Sequence, residues 1–303
     1  MTVIRVKSPS TTANMGPGFD CLGMALDLWN EITVIPMDAP VDGDLVEITG
    51  EGENELATDR SNLVYKSIEF LFGEAGLEIP SFKLVCNNQI PLKRGLGSSA
   101  AAIAGGLVAA NAMCENIFSK QELLEMAATI EGHPDNVAAA VMGGLQLVVS
   151  DGPQIYTVPI SVPSDIQAVI FVPDLTIATD DARRVLPKLI SREDAIFNMG
   201  RLALLISGMS SNHPEYLRIA TEDKIHQPYR QNLFPAMKLI FKAARDASAL
   251  GVFLSGSGPT ILALANDREM TIAYEMFEAA RQSGVEGTVS IIRTAVSGTY
   301  IEE

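Results

Sequence analysis

The stretch that most restricts how this chain can fold is IPLKRGLGSSAAAIAG, residues 90–105. It follows the short strand predicted for FKLVCNN and opens a segment, residues 95–114, that contains no charged side chain. Gly95 and Gly97 lack the Cβ atoms that would block a close approach to the backbone. The first amides of a following helix have no partner inside the helix and lie at the positive end of its dipole. The stretch therefore predicts a strand, an anion-binding turn and a buried helix.

Two other interpretations of this segment stay open at this stage. The turn could be an ordinary one in which Ser98 caps the helix, and it matches neither GxxxxGK[ST] nor the GxGxxG of dinucleotide folds. Residues 95–114 could also be a membrane span. That alternative is weaker, because Gly, Ala, Ser and Asn predominate there and the segment is barely long enough to cross a bilayer.

Composition limits the kinds of partner. The 303 residues include 22 basic and 37 acidic side chains, for a formal net charge of −15. A nucleic-acid or anionic-membrane surface needs a broad positive field, so neither partner is expected and any anion must be bound locally. The three cysteines, Cys21, Cys86 and Cys114, match no zinc spacing, and the N-terminal MTVIRVKSPS has no apolar signal core. These features predict a reduced, cytoplasmic protein.

The chain is long enough for two lobes. Prolines cluster at Pro153, Pro159 and Pro163, and we predict a boundary there, between lobes at 1–155 and 156–303. The predicted helices cover the segment from Ser61 to Gly76, a capping-box helix from Ser119 to Gly132, and residues 180–210, 231–249 and 268–283. Strands are predicted for LQLVVSDG, IQAVIFVPD and the two arms of GVFLSGSGPTILALA.

Three motifs occur in order along the chain: PSTTANMGPGFDCLGMAL, PLKRGLGSSAA and LSGSGPTILAL. Together they resemble the motifs of the GHMP small-molecule kinases, and the resemblance spans nearly the whole chain. Within that family, TTANMGPGFDCLGMAL and EGHPDNVAAAVMGG resemble the homoserine kinase branch. The resemblance implies an α+β fold, with an N-terminal lobe like domain 2 of ribosomal protein S5 and a C-terminal ferredoxin-like α/β lobe. It also implies ATP and an acceptor in the cleft between the lobes, and a homodimer.

The resemblance implies where ATP and Mg²⁺ bind. Asn62 would meet the nucleoside, although it could equally belong to a helix cap. Ser99, or its neighbour Ser98, and Glu131 would hold Mg²⁺, a hard ion that takes few protein oxygens. The alternative for Glu131 is a solvated carboxylate at a helix end. The implied phosphate-binding residues are Pro91, Leu92, Lys93, Arg94, Gly95, Leu96, Gly97, Ser98, Ser99, Ala100 and Ala101.

The acceptor implied for this branch, L-homoserine, is a zwitterion that carries a side-chain hydroxyl. Its carboxylate suits a guanidinium fork, and Arg183 is preferred over its neighbour Arg184 by position in the motif. Asn14 and Asp20 could also be plain turn residues, and Asp135 could cap the next helix. The implied acceptor-binding residues are Asn14, Asp20, His133, Asn136, Arg183 and Arg230, and the implied catalytic residues are Asn136, Thr179 and Asp135.

The expected activity is ATP-dependent phosphorylation of the homoserine hydroxyl, a step of threonine biosynthesis. Related mevalonate kinases use an Asp as base, for which Asp135 is the nearest candidate. The homoserine branch manages without a dedicated base, which is the mechanism we favour here. One alternative is another GHMP kinase, acting on mevalonate, a sugar or shikimate. The other is a non-catalytic ligand sensor, which the intact glycine stretch and Glu131 disfavour.

Overall fold

Two long antiparallel strands, β1 (Ile4–Asn14) and β2 (Gly18–Pro36), form the centre of the first sheet. The computed structural model describes residues 2–39, 45–152 and 154–302. The described residues form a seven-stranded sheet in the order β11-β1-β2-β4-β3, with β5 beside β2 and β6 beside β5. The added strands are β3 (Val46–Gly50), β4 (Phe82–Asn88), β5 (Leu145–Asp151), β6 (Gln154–Ile160) and β11 (Tyr300–Glu302).

Helices α1 to α4 pack with this sheet around one apolar core. The small side chains of α2 allow it to pack closely: a Cβ on Gly105 would lie 2.3 Å from Ile32 Cδ1, and one on Gly106 would lie 2.7 Å from the Val64 carbonyl oxygen. The close approach explains why the uncharged segment is a buried helix. The four helices are α1 (Leu63–Ala75), α2 (Ser98–Met113), α3 (Lys120–Glu131) and α4 (Pro134–Met142).

The junction between α3 and α4 follows from local sequence signals. Ser119 and Glu122 form the predicted capping box at the start of α3. Gly132 ends α3 in the left-handed conformation, with φ of +85°. Pro134 then occupies the first turn of α4, where its missing amide hydrogen costs nothing. This junction fixes the HPDN run directly beside the end of α3.

The second lobe has a four-stranded antiparallel sheet in the order β10-β7-β9-β8. If the four strands of this lobe are numbered 1 to 4 along the chain, their order across the sheet is 4-1-3-2. This is the ferredoxin-like arrangement that the resemblance implied. Its strands are β7 (Gln167–Pro173), β8 (Gly251–Leu254), β9 (Ile261–Ala265) and β10 (Gly287–Ile292). Its helices are α5 (Thr179–Arg184), α6 (Arg192–Ser210), α7 (Leu217–Ala220), α8 (Gln227–Arg230), α9 (Met237–Asp246) and α10 (Glu269–Gln282).

Two of the predicted helices were too long. Residues 180–210 form two helices rather than one, because Pro187 interrupts the helical pattern and Ser191 caps a new helix. The helix predicted for 231–249 covers only Met237–Asp246, after Pro235. No helix in the described ranges is long and apolar enough to span a membrane.

The lobe boundary at 155/156 stays a prediction. The chain passes from one sheet to the other between Ile160 and Gln167, because β6 belongs to the first sheet. Pro153, one of the three prolines on which the boundary was based, lies outside the described residues. Backbone hydrogen bonds join the lobes, from the Gly256 amide to the Ala13 carbonyl (3.1 Å) among others.

Candidate active site

A cavity of about 310 Å³ lies where the two lobes meet, large enough for a small-molecule site. Most of the residues singled out in the sequence line it, although they come from distant parts of the chain. Ala100 and Ala101 do not line it, since both are fully buried in α2. The lining residues among those predicted are Asn14, Asp20, Asn62, Pro91, Leu92, Lys93, Arg94, Gly95, Leu96, Gly97, Ser98, Ser99, Glu131, His133, Asp135, Asn136, Thr179, Arg183 and Arg230.

The glycine stretch turns into α2 without a side-chain cap. Gly97 is the N-cap residue in a left-handed conformation, with φ of +68°, and none of the described side chains caps the first turn. The alternative in which Ser98 caps the helix is therefore wrong, because Ser98 is already the first helical residue. The first amides of a 16-residue helix are thus open to an anion at the cavity wall.

The glycine stretch packs tightly against both lobes at Gly95 and Gly97. A Cβ on Gly97 would lie 1.8 Å from Thr11 Oγ1, and one on Gly95 would lie 2.2 Å from the Ser255 carbonyl oxygen. Ser255 Oγ also donates a 2.5 Å hydrogen bond to the Gly95 carbonyl. Only glycine fits these positions, and the backbone between them is held from both sides.

The two basic residues of the stretch are engaged elsewhere. Lys93 is exposed and forms an ion pair with Glu55. Arg94 donates from Nε to the Pro173 carbonyl (2.8 Å) and from Nη2 to the Asp174 carbonyl (3.2 Å), so its guanidinium joins the stretch to the end of β7. Backbone amides are therefore the main groups that this stretch offers to an anion.

Asn62 has two structural partners as well as its place in the cavity wall. Its Oδ1 accepts from the Val64 amide (2.9 Å) as the N-cap of α1, and its Nδ2 donates to the Ala57 carbonyl (2.8 Å). The cap that the sequence left as an alternative is thus present. It fixes the amide at the edge of the cavity.

Glu131 and Ser99 meet across the cavity beside the start of α2. Ser99 Oγ donates a 2.5 Å hydrogen bond to Glu131 Oε1, although the residues lie on different helices. Burial raises the pKa of Glu131, and the Ser99 hydrogen bond opposes this shift. Among the described residues no group of three or more His, Cys, Asp or Glu side chains could hold a metal alone. One hydroxyl and one carboxylate do fit Mg²⁺ that is also bound by phosphate oxygens.

The acceptor end of the cavity contains a salt bridge between Asp20 and Arg183. Arg183 Nη1 and Nη2 donate to the two Asp20 oxygens at 3.0 and 2.7 Å. The Phe19 ring lies close to two guanidinium carbons, 5.6 Å from that of Arg183 and 5.4 Å from that of Arg230. Arg184 instead pairs with Asp181 and is exposed. This end of the cavity therefore places the Asp20 carboxylate close to two guanidinium groups.

Arg230 is 3% exposed, which is unusual for an arginine. Its Nε donates to the Ala182 carbonyl (3.2 Å) and its Nη1 to the Gly256 carbonyl (2.9 Å), while Asn14 Nδ2 donates to the same Gly256 oxygen (2.8 Å). Burial lowers the pKa of Arg230 to about 10, so the group remains a cation at neutral pH. No described residue accepts a hydrogen bond from Nη2, which leaves that nitrogen for a ligand.

Asn136 has a fixed amide orientation. Thr11 Oγ1 donates to Asn136 Oδ1 (2.8 Å), and Asn136 Nδ2 lies 3.3 Å from Asp135 Oδ1. Both ends of the Asn136 amide thus have a protein partner. Asp135 Oδ1 accepts from the Asn136 amide (2.8 Å), and its bond with His133 Nδ1 (3.2 Å) raises the pKa of His133.

Some site residues carry no separate sequence signal. Thr11 is 0% exposed and its partner is 125 residues away, so nothing in STTAN singles it out. Phe19 lies inside a motif already quoted, next to Asp20, and His226 lies four residues before Arg230, but only the fold shows their contacts. Thr179, the first residue of α5, is exposed and lines the cavity, and its side chain has no hydrogen bond to a described residue that would define its role.

Comparison with known families identifies the family of this chain. The N-terminal domain of the GHMP kinases matches residues 62–144, and the C-terminal domain matches residues 193–285. The chain therefore belongs to the GHMP kinase family. A mevalonate kinase from L. major shares the fold at a TM-score of 0.72 and 13% identity, covering 96% of this chain and 95% of that one.

Closer relatives place the chain in one branch of that family, the homoserine kinases. A homoserine kinase of Synechocystis sp. is 44% identical over 303 residues, which are 99% of each chain. One from Moorella thermoacetica is 40% identical, over 99% of this chain and 100% of its own. The crystal structure of homoserine kinase from Cytophaga hutchinsonii superposes with a TM-score of 0.89 at 32% identity, covering 100% of this chain and 98% of that one.

Proposed function

We propose that this protein transfers the γ-phosphoryl group of ATP to the side-chain hydroxyl of L-homoserine, giving O-phospho-L-homoserine for threonine biosynthesis. One observation carries the proposal: a single cavity joins the uncapped start of α2 to a cluster of Asp20, Arg183 and Arg230. The helix start suits polyphosphate. The cluster suits a zwitterion, whose carboxylate faces the arginines and whose ammonium faces Asp20.

Catalysis rests on positioning, because phosphoryl transfer needs little covalent help from the protein. The amides at the start of α2 hold the phosphates, and Asn136 donates a hydrogen bond to the acceptor hydroxyl oxygen. Ser99 and Glu131 would hold Mg²⁺, which neutralises charge on the phosphates when it is bound. A side-chain amide is not a base at neutral pH, so Asn136 cannot take the hydroxyl proton, and we retain a mechanism without a dedicated base.

The direct test is an assay of ADP release with homoserine, threonine, serine and mevalonate offered separately. Homoserine should give the highest kcat/KM, because its hydroxyl lies one carbon farther from the charged groups than that of serine or threonine. Turnover of mevalonate alone would place the chain with another GHMP kinase. Calorimetric binding of ATP and homoserine without turnover would indicate a ligand sensor.

Replacing Asn136 with Ala should lower kcat by well over tenfold, because a small misplacement of the acceptor is costly in phosphoryl transfer. The KM for ATP should change less than kcat, since the substitution leaves the backbone amides at the start of α2 in place. The steady-state assay measures both constants. Asn266→Ala, at the exposed far end of β9, is the control, and an unchanged kcat would remove Asn136 from the mechanism.

Replacing Arg230 with Leu should raise the homoserine KM by about thirtyfold, since hydrogen bonds to charged groups contribute roughly 1.5–3 kcal/mol. The KM for ATP should stay within about twofold. Arg184→Leu is a matched control, because Arg184 is on the neighbouring helix but faces solvent. Normal homoserine saturation in the Arg230 variant would refute its assignment to the carboxylate.

Cytoplasmic location and a homodimer remain predictions. The three cysteines all lie in described segments and are unpaired, and burial raises the pKa of Cys86 to about 12. Unreactive, unpaired thiols agree with a reducing compartment. Size-exclusion chromatography with light scattering measures the assembly.

A further inference from the structure

His226 is a fully buried imidazole to which none of the roles above is assigned. It precedes α8, four residues before Arg230, and it is 0% exposed. Its Nε2 lies 2.7 Å from the Gly16 carbonyl oxygen, and its Nδ1 lies 3.1 Å from Arg230 Nη1. The Phe19 ring stacks on it at 5.2 Å. The imidazole therefore connects the turn after β1 to Arg230.

These two contacts define the protonation state of His226. A guanidinium has only donors and a carbonyl oxygen only accepts, so Nδ1 must accept from Arg230 and Nε2 must carry the proton. Burial lowers the pKa of His226 to about 4, which agrees with a neutral ring. Asp223 Oδ2 lies 3.6 Å from Nε2 and instead accepts from the backbone amides of His226 and Gln227, at 3.0 and 2.6 Å.

The neutral ring determines how Arg230 presents its donors. Nη1 is shared between His226 Nδ1 and the Gly256 carbonyl, and Nε is used by the Ala182 carbonyl. These three acceptors fix the plane of the guanidinium. Among the described residues only Nη2 then lacks an acceptor, and it is the edge that can face the cavity.

We propose that His226 is a positioning residue for the acceptor site, whose neutral Nε2–H tautomer holds Arg230 so that Nη2 meets the substrate carboxylate. This inference rests on the proposed function, because the carboxylate is that of the proposed acceptor. Arg183 is already paired with Asp20, so a correctly turned Arg230 supplies the cation with free donors. The role of His226 is thus to select acceptors that carry a carboxylate.

Two amide variants separate the two contacts of the ring. In His226→Asn, the Oδ1 atom can replace Nδ1 as the acceptor for Arg230, but nothing reaches Gly16. In His226→Gln, the amide nitrogen can replace Nε2 and donate to Gly16, but the acceptor for Arg230 is lost. The pair therefore tests which contact matters for the substrate.

The measurement is kcat/KM for homoserine and for 3-aminopropan-1-ol, which is homoserine without its carboxylate. The wild-type protein should prefer homoserine, and His226→Gln should reduce that preference by about tenfold. Activity with 3-aminopropan-1-ol should remain within about twofold of wild type, and His226→Asn should keep most of the preference. A merely structural role would lower both substrates equally.

The outcomes distinguish this inference from the proposed function. A wild-type protein that does not phosphorylate homoserine refutes the function, and the inference with it. A wild-type preference that survives in His226→Gln, or is lost equally in both variants, overturns the inference alone. So does an equal fall in activity on both substrates.

A spectroscopic test needs no variant, in case a buried substitution prevents folding. The chain has three histidines, so the ¹⁵N imidazole signals of His226 can be assigned by elimination with His133 and His213. We expect a neutral Nε2–H pattern throughout about pH 6 to 8. An Nδ1–H tautomer or an imidazolium in that range would overturn the proposal.

Discussion

Replacing Gly95 with Ala should lower kcat/KM for ATP by more than about a hundredfold, because a displacement of about 1 Å at a reacting site costs that much. The new methyl group would lie 2.2 Å from the Ser255 carbonyl oxygen and 3.0 Å from the Gly258 amide nitrogen. All of these are backbone atoms of the second lobe, which cannot rotate away as a side chain could. The stretch must move, and the amides at the start of α2 move with it.

Gly76→Ala is the matched control for backbone strain. Gly76 has φ of +65°, close to the +74° of Gly95, but no atom of the described residues lies within 4 Å of its added methyl group. It should lose about 1 kcal/mol of stability from its left-handed conformation and keep full activity. Thermal unfolding and steady-state kinetics of both variants distinguish the effect of backbone strain from that of a steric clash with the second lobe. A Gly95 variant with wild-type ATP kinetics would contradict the phosphate site at this stretch.

Replacing Glu131 with Gln should lower kcat by at least about a hundredfold, because it removes the only charged group that we assign to the metal. The amide oxygen can still accept from Ser99, so the local shape is kept. Glu125→Gln, on the same helix, is the control and should be fully active. Manganese binding with a non-hydrolysable ATP analogue, followed by electron paramagnetic resonance, should weaken only in the Glu131 variant.

The same substitution should not weaken the fold. Burial raises the pKa of Glu131 above its unfolded value, so the folded state holds the proton more tightly than the unfolded chain. Its ionised form is then disfavoured in the fold, and stability falls as pH rises through the folded-state pKa. At neutral pH the neutral Gln should unfold at an equal or higher temperature. An inactive but stable variant indicates a functional carboxylate, whereas a loss of stability with full activity would contradict the assignment.

The sequence was most informative where chemistry depends on the backbone. Two glycines before an alanine-rich helix identified the open helix start, and Ser119 with Glu122 identified the start of α3. These signals are local, so they can be recognised in the sequence without knowledge of the fold. The roles of Asp20 and Arg183 depended on the family resemblance, because a charged residue in a loop is ordinarily a solvated one.

What the sequence could not predict was long-range pairing. Arg94 is predicted to lie at the phosphate site, but nothing in the sequence shows that its guanidinium donates to two carbonyls about 80 residues away. The prolines around β6 suggested a boundary, but Pro159 is tolerated because β6 is an edge strand, which among the described strands pairs with β5 alone. β11, three residues long, is too short to show any alternation.

The return of the chain to its first sheet has a consequence for biosynthesis. Residues Tyr300 to Glu302 pair with β1, and Lys7 Nζ lies 2.8 Å from Glu302 Oε1. Thr294 forms an isolated antiparallel β-bridge with Leu26. While the ribosome is still synthesising the second lobe, the backbone groups along the edge of β1 are unpaired and can form hydrogen bonds with strands of other chains. We therefore expect chaperones to bind the nascent first lobe and cover the edge of β1 until β11 has been synthesised.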